Sequence, residues 1–154
     1  MNKLSIPLKY GIFTAIALIA YFLILSIFGL NVFPIYSLFN AVITAAGMYL
    51  AIKQYRTKKG DKFKYQKGFA TGMFTGFMAT FIFTAFFAVY AADINPEFFH
   101  ELVSMWESEY ETPLGLVIFA VALMGASTTV ALTLTYMQLF KRSWNTKEGK
   151  KHQI

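Results

Sequence analysis

Glu97 and His100 stand three residues apart, the spacing at which a helix turns a carboxylate and an imidazole toward one face. Di-metal helical bundles use two such pairs together with further carboxylates, all projecting inward, and this chain has one copy. No metal site is therefore expected, and no cofactor. Glu107, Glu109 and Glu111 alternate, so on a helix they do not converge. The other polar grouping is a run of hydroxyls at Ser127, Thr128 and Thr129, followed by Thr133 and Thr135. Together with Asn40, an isolated amide in an apolar stretch, they are candidates to line a small polar cavity. The competing reading is that each hydroxyl bonds back to a carbonyl of its own helix, and that Asn40 bonds to a Thr or Ser on a neighbouring helix. The chain contains no cysteine, which removes thiol chemistry and disulfides. Paired aspartates, a histidine metal motif and a serine with an adjacent base are also missing at membrane depth, so no enzyme is expected.

The elements that must position these groups are long and apolar. Hydrophobic residues make up 56% of the sequence and charged residues 14%, the balance of a membrane protein rather than of a soluble domain. Four runs lack Asp, Glu, Lys, Arg and His altogether: 10–30, 34–52, 68–92 and 114–140. Each matches the ~20 residues a helix needs to cross the hydrocarbon of a bilayer. Stretches such as 18–25 do not alternate apolar with polar residues, which argues against a barrel. The first run is longer than the apolar core of a signal peptide, and it reads as a retained span.

Charge sets the expected orientation. All fourteen Lys and Arg fall in three segments: Lys3 and Lys9, the stretch from Lys53 to Lys67, and the tail from Lys141 to Lys151. The segment 93–112 has six acids and neither Lys nor Arg. The positive-inside rule puts the three basic segments, and with them both termini, in the cytoplasm, with 93–112 outside. The net charge of +6 is thus a sum over two oppositely charged sides. Tyr55, Phe63 and Tyr65 lie among the bases of 53–67, but contact with anionic lipid explains that loop without nucleic acid. Ion-coupled transporters place an ionisable side chain inside the membrane, and small four-helix multidrug exporters rely on a glutamate in the first span; neither feature is present here.

The expected fold is all-α: a single domain, 1–154, with four transmembrane helices arranged as two antiparallel hairpins. A tight turn at 29–34 joins the first pair, the basic loop 53–67 links the pairs, and the basic tail 141–154 follows the last. In the outer loop, Asn95, Pro96 and Glu97 form a helix start. Phe98, Leu102 and Trp106 then recur at four-residue spacing, which predicts a short amphipathic helix over 96–110 along the interface, anchored by Trp106. Tyr90 and Tyr110 are expected among the interfacial aromatics. In the third run, Gly68, Gly72, Gly76, Thr80, Thr84 and Ala88 recur every four residues and form a face of small side chains against which another helix can approach closely. That face is a helix-packing interface, filled by another span of the chain, by a second copy, or by a different membrane protein.

Several fragments resemble the DUF4199 family of small bacterial membrane proteins of unknown function, found mostly in Bacteroidota. They are Leu8, Lys9, Tyr10 and Gly11; Ile52, Lys53, Gln54, Tyr55 and Arg56; Tyr65, Gln66, Lys67 and Gly68, then Phe69 through Gly72; and Asn95, Pro96, Glu97, Phe98 and Phe99. The similarity runs over essentially the whole chain. Family members usually carry a longer outer segment with both Lys and Glu. The resemblance implies a four-helix protein of the bacterial inner membrane and brings no catalytic residues. The expected function is a non-enzymatic accessory or scaffolding subunit that binds other membrane helices. The alternative is a homo-oligomeric channel or carrier for an uncharged or weakly polar solute. The partners expected are the lipid bilayer, another membrane protein or a second copy, and anionic lipid at 53–67, with no nucleic acid.

Overall fold

The computed structural model describes residues 5–104 and 113–140. Among these, the secondary structure is helical throughout, in five α-helices: α1 (Ile6–Ile27), α2 (Pro34–Lys59), α3 (Tyr65–Val89), α4 (Pro96–Ser104) and α5 (Leu114–Leu139). A short 3-10 turn (Gly60–Lys62) follows α2, and a π turn (Tyr90–Ile94) extends α3. Three helices are long and apolar enough to cross a membrane, namely α1, α3 with its π turn, and α5. Large apolar side chains such as Phe13, Ile27, Phe81 and Phe119 stand exposed on the outside. In water that surface would drive aggregation; in lipid it costs nothing.

Local chemistry explains where the helices stop. Gly29 adopts φ 69°, which a residue with a side chain rarely tolerates. It closes α1 with bonds from the Gly29 amide to the Ser26 carbonyl (3.1 Å) and from the Leu30 amide to the Leu25 carbonyl (2.9 Å), so carbonyls left over at the helix end find donors. Gly60, also at positive φ (52°), ends α2. The basic segment is correspondingly less of a loop than its charge implied. Lys53 to Lys59 continue α2, and Tyr65 already belongs to α3, because Lys, Arg and Gln are good helix formers that carry a helix past its apolar stretch.

Residue pairings give the helix directions. Thr14 meets Gly47 and Tyr21 meets Tyr36, so α2 runs back along α1. Gly11 lies against Met78 and Phe22 against Phe86, so α3 runs parallel to α1. Gly76 meets Thr129 and Gly125 meets Thr80, so α5 runs back along α3. Helix α3 touches α1, α2 and α5 and forms the centre of the bundle. One end carries Lys9 and the bases from Lys53 to Lys67, and the other carries Asp93, Glu97 and Glu101.

Helix α4 is the described part of the amphipathic helix expected over 96–110. Phe98 is 3% exposed and joins a core cluster with Phe22, Val32, Phe87, Tyr90 and Ala91, while Phe99 and Leu102 pack against it. The apolar face of α4 thus docks on the bundle, with Phe98 between the ends of α1 and α3. The expected anchor Trp106 and the interfacial Tyr110 lie outside the described residues, as do Lys3 and the tail from Lys141 onward.

Candidate functional site

The small residues of α3 are the first candidate, and they face α5 and the basic end. A Cβ added at Gly72 would stand 2.9 Å from Ile52 Cδ1 and 3.2 Å from Thr133 Cγ2, and one at Gly68 would stand 2.6 Å from the Phe63 ring. At Gly76 the added atom would collide with Thr129, and at Gly125 of α5 with Thr80. The seam therefore alternates: glycine of α3 receives threonine of α5, and one turn on, glycine of α5 receives threonine of α3. Thr84 and Ala88 continue the face beyond it, both partly buried. The groove at Gly68, Gly72 and Gly76 is occupied by side chains of the same chain, which leaves it closed to an outside partner.

The α5 hydroxyls in this seam bond to their own helix. Thr129 Oγ1 donates to the Gly125 carbonyl (2.8 Å) and Thr133 Oγ1 to the Thr129 carbonyl (2.7 Å). On the side of α3 that meets α1, Thr75 likewise donates to the Thr71 carbonyl (2.7 Å). Each of these threonines thereby satisfies its polar atom within its own helix. The candidate cavity residues do not converge. Thr129 is fully buried, Thr128 donates to the Met124 carbonyl, and Ser127 is exposed on the opposite side of α5.

Asn40 does not make the expected bond to a neighbouring Thr or Ser: its Oδ1 is buried without a partner, and so is Thr84 Oγ1. Ile52 lies against Gly72, and the antiparallel run of α2 and α3 brings Asn40 near the level of Thr84. An unmatched amide and an unmatched hydroxyl at one level make the least settled polar feature of the interior.

A second site escaped the sequence altogether. The Tyr90 hydroxyl, at the acidic end, lies 2.6 Å from Ser26 Oγ, and it accepts from Asn31 Nδ2 (3.4 Å) and Asn95 Nδ2 (3.3 Å). It thus ties together α1, the turn after it, α3 and the entry to α4. Around it the Phe22 ring meets Phe83, Phe86, Phe87, Tyr90 and Phe98 edge-on, with centroids 4.9 to 6.1 Å apart, the arrangement that sets a positive ring edge against a negative face. The π turn widens the end of α3, and the Asn95 amide closes it on the Tyr90 carbonyl (2.8 Å). Asn95 then caps α4 as its sequence predicted, accepting from the Phe98 amide (3.3 Å).

At the basic end, Tyr136 donates to the Ala45 carbonyl (2.7 Å), and Tyr49 stacks on Phe140. Lys53 lies over the Tyr49 ring and Arg56 over the Phe140 ring, at 5.7 and 5.4 Å. Among the described residues no group of three His, Cys, Asp or Glu could hold a metal, whether with Glu97 and His100 or elsewhere.

A helical bundle with membrane-length apolar helices, lipid-compatible outer surfaces and an interior built from glycine, threonine and aromatic contacts defines a transmembrane protein. The chain belongs to the family described as protein of unknown function (DUF4199), whose model matches residues 9–115. The match takes in α1 through α4 and stops at the start of α5. No curated protein and no solved structure matches the chain.

Proposed function

We propose that the chain crosses the bacterial cytoplasmic membrane four times, as the hairpins α1–α2 and α3–α5, with both termini in the cytoplasm. In this reading it serves as a non-enzymatic accessory or scaffolding subunit that binds a helix of another membrane protein. For α2 as the fourth span, the support is that 34–52 has no charged residue and that Ile35, Leu38, Phe39 and Val42 are exposed. For the orientation, the support is the gathering of Lys and Arg at one end.

The observation that carries the functional reading is the local satisfaction of the α5 hydroxyls. Thr128, Thr129, Thr133 and Thr135 each donate to the carbonyl four residues earlier, and Thr129 and Thr133 are packed over glycines. A solute path needs such groups facing water, so a channel within one bundle has less support than a packing role. With the α3 groove filled, the reading places a partner helix on the outer face of α5. There Ala126, Ser127, Val130, Ala131 and Leu134 line a shallow open groove of about 490 Å³, and three of the five are small enough to admit another helix closely.

The test is gentle extraction of a tagged copy, expressed at its natural level, followed by particle mass and identification of the species that accompany it. Stoichiometric recovery of a different membrane protein, lost in Ala131→Trp, is the expected result. A homo-oligomer with measurable solute flux in vesicles would overturn it in favour of a channel formed between copies.

A further inference from the structure

Where α1 begins, α2 ends and α3 starts, the basic end holds an open cavity of about 360 Å³. Its lining divides chemically. Lys58 and Lys59 come from the last turn of α2 and Lys67 from the first turn of α3, while Ile6, Pro7 and Ala70 supply apolar wall. No acid lines it. The other two described cations of α2, Lys53 and Arg56, lie over aromatic rings elsewhere.

Three lysines around one concavity, with no counter-charge among the described residues of its wall, favour an anion with several acceptor oxygens. The apolar wall selects among such anions. A free inorganic anion gains nothing from Ile6, Pro7 and Ala70, whereas a phospholipid places its phosphate among the lysines and its glycerol and upper acyl carbons on that wall. The cavity also sits where the uncharged run of α3 begins, the depth of a lipid headgroup.

We infer that the cavity between the start of α1, the end of α2 and the start of α3 is a binding site for the headgroup phosphate of an anionic phospholipid. It goes beyond the accessory-subunit reading and does not depend on it. Lys58, Lys59 and Lys67 supply the charge, and Ile6, Pro7 and Ala70 the apolar contact. The site turns the diffuse attraction expected of 53–67 into a discrete one.

The test uses the full chain in detergent with phosphatidylglycerol or phosphatidylcholine added, and bound lipid is counted by native mass spectrometry. The wild type retains phosphatidylglycerol over phosphatidylcholine, and the triple variant Lys58→Gln, Lys59→Gln, Lys67→Gln lowers that preference roughly tenfold or more. The matched variant Lys53→Gln, Lys62→Gln, Lys64→Gln removes the same charge outside the cavity and leaves it within a factor of about two. Ala70→Trp fills the apolar wall at unchanged charge and also lowers retention. Equal losses in the two triple variants would overturn the site in favour of diffuse attraction. Displacement of the lipid by millimolar inorganic phosphate, with Ala70→Trp silent, would overturn the lipid assignment in favour of a free anion.

Discussion

The seam between α3 and α5 and the knot around Tyr90 hold the same bundle by opposite means. In the seam, glycine of one helix receives threonine of the other, and the α5 hydroxyls of Thr129 and Thr133 bond within their own helix, so what joins the helices is close approach. In the knot, large aromatic rings interlock and one phenol links separate segments of the chain. In lipid, transferring an apolar side chain from the surroundings to the interior yields little, because acyl chains are as apolar as leucine. Association then rests on contact density or on hydrogen bonds between helices. The molecule uses the first along α3 and the second where the chain turns and water is near.

The most direct way to break this division is to add volume in the seam. Gly76→Leu would drive a side chain into Thr129, which already lies inside the distance a Cβ needs. The expected cost is about 3 kcal/mol, the upper part of the range for overpacking, since both facing groups are rigid. Unfolding by titration with sodium dodecyl sulfate, followed by circular dichroism, measures it. Combining Gly76→Ala with Thr129→Gly, which also removes the Thr129 Cβ 2.8 Å from the added atom, should relieve the clash itself, and a loss smaller than the sum of the two single changes identifies Thr129 as the obstacle.

Removing volume from the knot should cost less. Phe22→Ala deletes a ring that touches five others, and the same change in a water-soluble core costs roughly 3 to 5 kcal/mol. Here the transfer part largely vanishes, and lost contact should leave about 2 kcal/mol. A loss as large as in a soluble core would mean that the acidic end is packed against water instead of lipid.

How much of this was legible in the sequence differs between the same two regions. Glycine every fourth residue marks a narrow helix face directly, so Gly68, Gly72 and Gly76 read as a packing surface. What fills it is not encoded in that spacing, because the complementary Thr129 and Thr133 look like any membrane hydroxyls. The knot was illegible. Ser26, Asn31, Tyr90 and Asn95 lie up to 69 positions apart in a chain of 154, each an ordinary helix-end residue, and the π turn that aims Tyr90 inward has no sequence signal. The helix start at Asn95 was readable because capping is local. The docking of Phe98 was not, since an amphipathic face announces only that something apolar covers it. Lys53 to Lys59 misled in another way, as charge marks the edge of a membrane but does not end a helix.

Tyr90→Phe isolates the polar part of the knot, keeping the ring and removing the hydroxyl that meets Ser26, Asn31 and Asn95. Hydrogen bonds between membrane helices average about 0.6 kcal/mol, with a maximum near ~1.7. With three partners released at a site near water, the expected loss is about 1 kcal/mol in the same titration. Faster amide exchange at Asn95 and Phe98, read by hydrogen exchange, should accompany it, because the entry to α4 is tied through that hydroxyl.

The smallest expected effect tests the comparison most sharply. In the double variant Thr129→Val, Thr133→Val the methyls over Gly76 and Gly72 remain and only the hydroxyls go. Those hydroxyls donate to carbonyls of α5 itself, carbonyls that the helix already pairs, so their removal should change stability by no more than about 0.5 kcal/mol. A loss of about 1 to 2 kcal/mol, the scale of two bonds made across the interface, would show that the hydroxyls reach another helix or water. It would erase the distinction between the seam and the knot, and with it the argument against a polar path along α5.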